Sequence, residues 1–210
     1  MATNQRHAHE ERDEQQQDKD EGKRGGGSGT SATTAALLGT AAAGVAVGIA
    51  AMLGRKLAVQ APTMLAGNWD QALAAEHKAV LKLFDALEAT NSSNTTKRSI
   101  LLMQIKHALA KHALQEENAV YPALREAGHA QDADILNAEH GYVKQFLYDL
   151  TNCPKDSERF LDIARRFRAH LEKHITEEEE QLFPLLKNSL SQDANALLTK
   201  EMNKEGLKLA

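Results

Sequence analysis

From Asn68 onward, apolar residues recur at three- and four-residue steps, the spacing of amphipathic helices that each bury one face. Leu73, His77, Val80, Phe84 and Leu87 trace one such stripe, and Leu101, Ile105, Ala108, His112, Glu116, Ala119 and Ala123 a second. Leu136, His140, Val143, Leu147 and Leu150 mark a third, and Phe160, Ile163, Phe167, His174, Glu178 and Leu185 a fourth. Turn and capping residues interrupt the pattern at 91–96, 127–129 and 152–154. Connections that short make neighbouring helices antiparallel. The pattern therefore predicts an all-α, up-down-up-down four-helix bundle over residues 68–190. A weaker pattern, Leu197, Leu198 and Met202, predicts a short C-terminal helix within 191–210.

The chain before Asn68 is of another kind. Residues 1–30 have almost no bulky apolar side chains and no periodicity, so they bury too little to offset the entropy of ordering. A disordered polar tail is expected there. Residues 31–56 form an Ala/Gly-rich stretch, uncharged up to Arg55-Lys56, and 35–53 would match one hydrocarbon core as a helix. Gly44 and Gly48 have the spacing that lets membrane helices approach closely. The few Leu, Val and Ile residues contribute only roughly 2–4 kcal/mol toward insertion, and the glycines subtract from it. Two readings stay open: a membrane anchor through 35–53 that leaves the downstream domain on the cytoplasmic side, or an Ala/Gly helix in water. The polar leader is too long and too acidic for a cleaved signal peptide.

Composition removes several function classes. With 25 basic and 29 acidic residues the formal net charge is −4, which gives no basic footprint for nucleic acid. Aromatics make up only 4%, low for a surface that stacks single-stranded bases. One cysteine, Cys153, excludes an internal disulfide framework and any multi-cysteine zinc or iron–sulfur site. No phosphate loop, dinucleotide fingerprint or nucleophile elbow occurs.

The chemistry lies inside the predicted core. Each of the four stripes carries a histidine at its middle, and two add a glutamate four residues later, on the same helix face. Burying an ionised carboxylate without a partner costs several kcal/mol, and no Lys or Arg stands at the stripe positions. A metal centre is the natural compensator. An internal repeat strengthens this. His112, Glu116, Glu117, Tyr121 and Pro122 recur as His174, Glu178, Glu179, Phe183 and Pro184, 62 residues on. Ala75-Glu76-His77 likewise recurs as Ala138-Glu139-His140, 63 residues on. Two helix hairpins related in this way would bring both His-x-x-x-Glu faces to a common centre.

The run H-x-x-x-E-E-x-x-x-(Tyr/Phe)-Pro, present twice and each time preceded by a helix with a lone His, resembles the haemerythrin-like (HHE cation-binding) domain over residues 68–190. The resemblance implies a non-haem di-iron centre. His77, His112, His140 and His174 would be terminal ligands, and Glu116 and Glu178 would bridge two iron ions. Imidazole and carboxylate donors also suit manganese or zinc. Glu117 and Glu179, about 100° further round the helix, would support the ligands from behind. The function this implies is binding of iron and of a small ligand such as O2, NO or peroxide, in sensing, detoxification or iron handling. The alternatives are a di-iron oxidase or peroxidase, and a structural, stress-related bundle with a stabilising metal.

One departure matters. Oxygen-carrying members have a further His four residues after that of the third helix, where this chain has Lys144. His170, one turn before His174, is the candidate replacement. His107 and His129 fall off the ligand faces, and His7 and His9 lie in the tail. A site short of one imidazole is expected to autoxidise readily and to carry oxygen poorly.

Overall fold

The computed structural model describes residues 51–56 and 59–210. The polar tail expected at 1–30 and all but the end of the apolar stretch 35–53 lie outside the described residues. Among the described residues no helix is long and apolar enough to cross a membrane.

Every regular element among the described residues is helical. A leading helical segment covers 51–56 and 59–65. It is followed by α1 (Trp69–Glu88), α2 (Thr95–Gln115), α3 (Tyr121–Glu126), α4 (Ala130–Asn152), α5 (Glu158–Glu177), α6 (Phe183–Ser189) and α7 (Gln192–Leu209). The expected breaks fall between these helices. Ser157 and Ser191 cap α5 and α7, each accepting a hydrogen bond at 3.2 Å from a backbone N–H in the first turn. At the end of α3, Gly128 adopts φ +95°, which lets its own N–H reach the carbonyl of Arg125 and that of His129 reach Leu124. Few residues other than glycine tolerate that backbone.

Helix α1 packs on α2 and α5, and α4 packs on α5 and α2, so the four long helices close a ring around one interior. That interior is divided. One apolar cluster includes Phe84, Leu87, Ile105, Leu150, Phe160 and Phe167. The other includes Trp69, Leu73, Val120, Leu124, Leu136, Phe183 and Leu186. Along every helix the central His falls between residues of the first cluster and residues of the second, so a polar layer separates two dry ones. The first cluster is closed at its far end by Arg98, fully buried, whose guanidinium donates to Thr90 Oγ1 (2.8 Å) and to the carbonyl of Lys155 (2.6 Å). This side chain ties the α1–α2 turn to the α4–α5 turn.

Two corrections to the sequence pattern share one cause. Leu185, expected in the core, is 36% exposed, and Ala123 is only half-buried, while Leu182, Phe183 and Leu186 are buried instead. Between α2 and α3, and again between α5 and α6, the helix widens into one π-turn, at Glu116–Val120 and Glu178–Leu182. There the N–H of Tyr121 bonds the carbonyl of Glu116, and that of Phe183 the carbonyl of Glu178, five residues back instead of four. The extra residue shifts the register of everything after it, so a stripe extrapolated at 3.6 residues per turn lands on the wrong positions.

The trailing helix α7 is longer than its weak pattern suggested. It packs along α2, the first π-turn and α1. The Trp69 backbone N–H donates to Thr199 Oγ1 (3.0 Å) and its indole N–H to Asn195 Oδ1 (2.9 Å).

Candidate metal centre

The polar layer brings together all six side chains singled out as ligands, and all six are buried. Two groups lie within metal-binding reach of one another: His77, His112, Glu116 and Glu178, and Glu116, His140 and His174. Glu116 belongs to both. Its Oε1 is 3.1 Å from His112 Nε2 and its Oε2 is 3.3 Å from His140 Nε2. Glu178 Oε2 stands 3.4 Å from both His77 Nε2 and His174 Nε2. All four imidazoles thus aim Nε2 at the carboxylates of the centre.

The other ring nitrogen faces outward in every case, and each meets a carboxylate. His77 Nδ1 is 2.8 Å from Glu179, and His140 Nδ1 is 2.9 Å from Glu117. His112 Nδ1 is 3.2 Å from Glu76, and His174 Nδ1 is 2.7 Å from Glu139. An ionised carboxylate can only accept, so each Nδ1 donates, and the ring is held with Nε2 pointing inward. Such outer partners fix the orientation of a metal-binding imidazole and make it a better donor.

Electrostatics follow from this geometry. Burial works against charge on His112, but Glu116 and Glu76 outweigh it and hold its pKa well above the ordinary value. Burial and the charge of His112 oppose protonation of His77, yet contacts with Glu178 and Glu179 raise it. His140 is raised as well, with Glu116 overcoming its burial. Burial would push Glu76 up, but its hydrogen bond to His112 and the charges of His112 and Lys111 bring it down to about 2. Glu116 is driven well below the carboxylate range by His112 and His140, against full burial. These groups attract positive charge to the centre, whether as protons or as a cation.

The residues present fit a metal. Glu116 Oε1, His174 Nε2 and Glu178 Oε2 are buried and make no hydrogen bond within the protein. The Nε2 atoms of His77 and His112 sit 2.9 Å apart, so their lone pairs converge where a proton or cation must stand. Buried nitrogen and carboxylate donors converging without hydrogens are what a divalent first-row metal requires.

The other histidines fall elsewhere. His170 lies outside both groups and packs against the rings of Tyr142 and Phe146. His129 sits at the N-terminal cap of α4, 3.3 Å from Asp132. His107 lines a cavity of about 470 Å³ between the leading segment, α1 and α2. That cavity reaches Glu76 and Lys111 but none of the six inward-facing residues. Lys144 is exposed and donates to Glu117 at 3.2 Å, on the outer side of the layer.

Several participants escaped the sequence pattern. The Tyr121 hydroxyl lies 3.0 Å from Glu178 Oε1, 3.3 Å from Glu116 Oε2 and 3.1 Å from His140 Nε2. Nine residues after His112 an uninterrupted α-helix would carry it about half a turn away, so the π-turn is what aims it inward. Pro122 and Pro184, which cannot continue the α-helical bonding, were the available signal. Glu76 and Glu139 were visible as part of the repeat, without a role. Lys111 leaves the ligand stripe free of cations yet is buried beside it: its side chain is 8% exposed and pairs with Glu76 at 2.8 Å. It stands one residue before His112, off the apolar stripe, where periodicity gives no reason to bury it.

A model of the Hemerythrin HHE cation binding domain matches residues 70–187. An uncharacterized hemerythrin-like protein of Schizosaccharomyces pombe is 29% identical over 122 residues, covering 56% of this chain and 59% of that protein. A protein of Nostoc sp. described as a DNA nickase is 26% identical over 126 residues, covering 60% of this chain and 35% of that one. The matched regions thus span less than two thirds of either relative. No solved structure gives a significant match. By the match over most of its helical region, and by a buried layer of histidines and glutamates suited to a cation, the chain belongs to the hemerythrin HHE cation-binding family.

Proposed function

We propose that the protein is a non-haem di-iron protein that binds a small ligand such as O2, NO or peroxide, in sensing, detoxification or iron handling. The observation that carries this reading is the pair of ligand groups sharing Glu116. One iron would be held by His77 and His112 and the other by His140 and His174, with Glu116 and Glu178 between them in an up-down-up-down bundle. Six donors are too many for one tetrahedral metal and suit two that share bridges. Bound ferrous iron would supply electrons and an open coordination position.

The protein's own groups do the rest. The four outer carboxylates hold the rings in register. Phe183 stacks on His77 with ring centroids 6.1 Å apart and keeps water from that side. Tyr121 stays protonated, because burial and then the Glu116 and Glu178 charges push its pKa well above the ordinary value. Its hydroxyl is a neutral donor aimed into the centre from the second cluster, placed to donate to a bridging carboxylate or to an incoming anionic ligand. That placement also favours a second reading, a peroxide-consuming enzyme, for which a buried proton donor is an asset. The Nostoc relative's nicking activity belongs to a protein of which under half is matched, and a net charge of −4 gives no reason to carry it over.

The deciding experiment is metal analysis of the protein from its own host, with optical spectra of the reduced protein before and after NO, air or peroxide. About two irons per chain and a ligand-dependent spectrum support the binding reading, and sustained peroxide turnover supports the enzyme. A single metal with both glutamates unbound defeats the di-iron reading. An unchanged metal-free fold, with no ligand response in the loaded protein, points to a structural role.

A further inference from the structure

The family match runs from residue 70 to 187, yet side chains from outside it at both ends join one hydrogen-bond network that ends on Glu76, the carboxylate behind His112. Lys111 Nζ donates to Thr63 Oγ1 (2.8 Å) and to Gln60 Oε1 (3.1 Å) in the leading segment, besides its pair with Glu76. Thr63 Oγ1 donates directly to Glu76 Oε1 at 2.6 Å. Gln60 in turn donates to Asn203 Oδ1 of α7 at 3.1 Å. Gln60, Thr63 and Lys111 are all buried. Gly206, inside α7, shows that this approach is built in. A Cβ there would lie 2.6 Å from Gln60 Oε1, so the helix carries a poor helix former, glycine, where Gln60 comes against it.

Among the described residues the other copy of the motif has no such support. Lys173, which corresponds to Lys111, is 73% exposed on its side chain and stands 3.6 Å from Glu139. His174 is thus oriented by a carboxylate with one distant, solvated cation. His112 is oriented by a carboxylate locked by Lys111 and Thr63.

We infer that the leading segment is a positioning element for one metal position: Gln60 and Thr63 fix Lys111 and Glu76, and through Glu76 the ring of His112, so that this segment sets how tightly the ion on the His77–His112 side is held. The inference rests on the di-iron reading and adds an asymmetry to it. Outer partners of a ligand typically change metal affinity or activity about 10–100-fold when removed.

The test is release of iron from the full-length protein. Wild type and variants are loaded anaerobically with ferrous iron and challenged with a ferrous chelator, and the number of irons released is followed in time. In the double variant Gln60→Leu/Thr63→Val, and in Lys111→Met, one iron per chain should leave about tenfold faster than in wild type while the other keeps its rate. Lys173→Met should release both at the wild-type rate, and Thr63→Ser, which keeps the hydroxyl, should restore retention. Lys111→Met leaves Glu76 without its cation and can weaken folding, so the double variant, remote from the ligands, is the decisive one. A purely structural role would lower the melting temperature of the metal-free protein and speed both irons equally. That outcome, or unchanged release in the double variant, or equal acceleration in Lys173→Met, overturns the inference. A wild-type chain that takes up iron at only one position, or none, overturns the di-iron reading first and this inference with it.

Discussion

His112 and His174 stand at the same place in two copies of one motif, with the same glutamate four residues on, yet their surroundings differ. Around His112 the outer carboxylate is fixed by a buried lysine and a threonine from beyond the repeat. Around His174 the corresponding carboxylate, Glu139, is met among the described residues by an exposed lysine at 3.6 Å. The inward positions differ too: Tyr121 brings a hydroxyl to the centre where Phe183, its counterpart, brings only a ring. Symmetry is kept for the groups that would bind metal and abandoned for those that surround them. A repeat of ligands therefore does not mean two equivalent metal positions.

The largest effect should come from the residue shared by both groups. Glu116→Ala should lower iron content at both positions, whereas His174→Ala should cost mainly one, as metal analysis after desalting would measure. Equal loss in the two variants would mean the positions are not separable. Next in size is a contrast between the metal layer and the far end of the bundle. Arg98→Met removes a buried network and should destabilise the protein by about 2–4 kcal/mol, read by denaturant unfolding, without changing iron stoichiometry.

The pH dependence of the metal-free protein tests the charge balance itself. His77, His112 and His140 have folded pKa values raised above 6.5, so their stabilisation is present below 6.5 and is lost as pH rises through the folded values. Glu76 and Glu116 are lowered below 4.5, so theirs is present above 4.5 and is lost as pH falls, toward about 2 for Glu76. Melting temperature without metal should therefore peak between about pH 4.5 and 6.5. Metal needs deprotonated rings, so the stabilisation it gives should grow above pH 6.5, and the two melting curves should diverge there. Curves that stay parallel would show that these rings do not hold the ion.

Smaller again is Tyr121→Phe, which makes the two copies alike at this position. It should cost about 1 kcal/mol without metal, as Glu178 loses a donor, and should shift the optical spectrum of the loaded protein. The smallest change is expected from Lys144→His. The side chain at 144 is 68% exposed and bound to the outer face of Glu117, so an imidazole there should leave the spectrum and the autoxidation rate nearly as they were. A marked slowing would mean that position 144 does reach the metal.

The helical stripes and the six inward-facing side chains were legible because both are periodic. Leu73, His77 and Val80, or Leu136, His140 and Val143, reveal themselves by spacing alone. Lys111, Gln60 and Thr63 were not legible, for a physical reason. They are polar residues buried by pairing with one another, Lys111 with residues 48 and 51 positions away, and no local pattern encodes such a pairing. Tyr121 and Phe183 stood in plain view within the repeat. Their direction depended on a change of helical pitch that a fixed period cannot express.

That change of pitch makes each of the two long motif helices a pair of rulers with different origins. Positions up to Glu116 or Glu178 are counted from the histidine, and those beyond from the far side of the π-turn. Deleting one residue between 117 and 120 would restore an even α-helix and leave His112 and Glu116 where they are. Tyr121, Leu124 and all that follows would stay in phase as well, because eight α-helical residues after His112 give the direction that nine with a π-turn give; straightening the turn at full length would instead rotate them by about 100°, swinging the hydroxyl out of the centre and Leu124 out of its core. Substitutions along this stretch can be judged one side chain at a time, but its length and its pitch hold the phase only together.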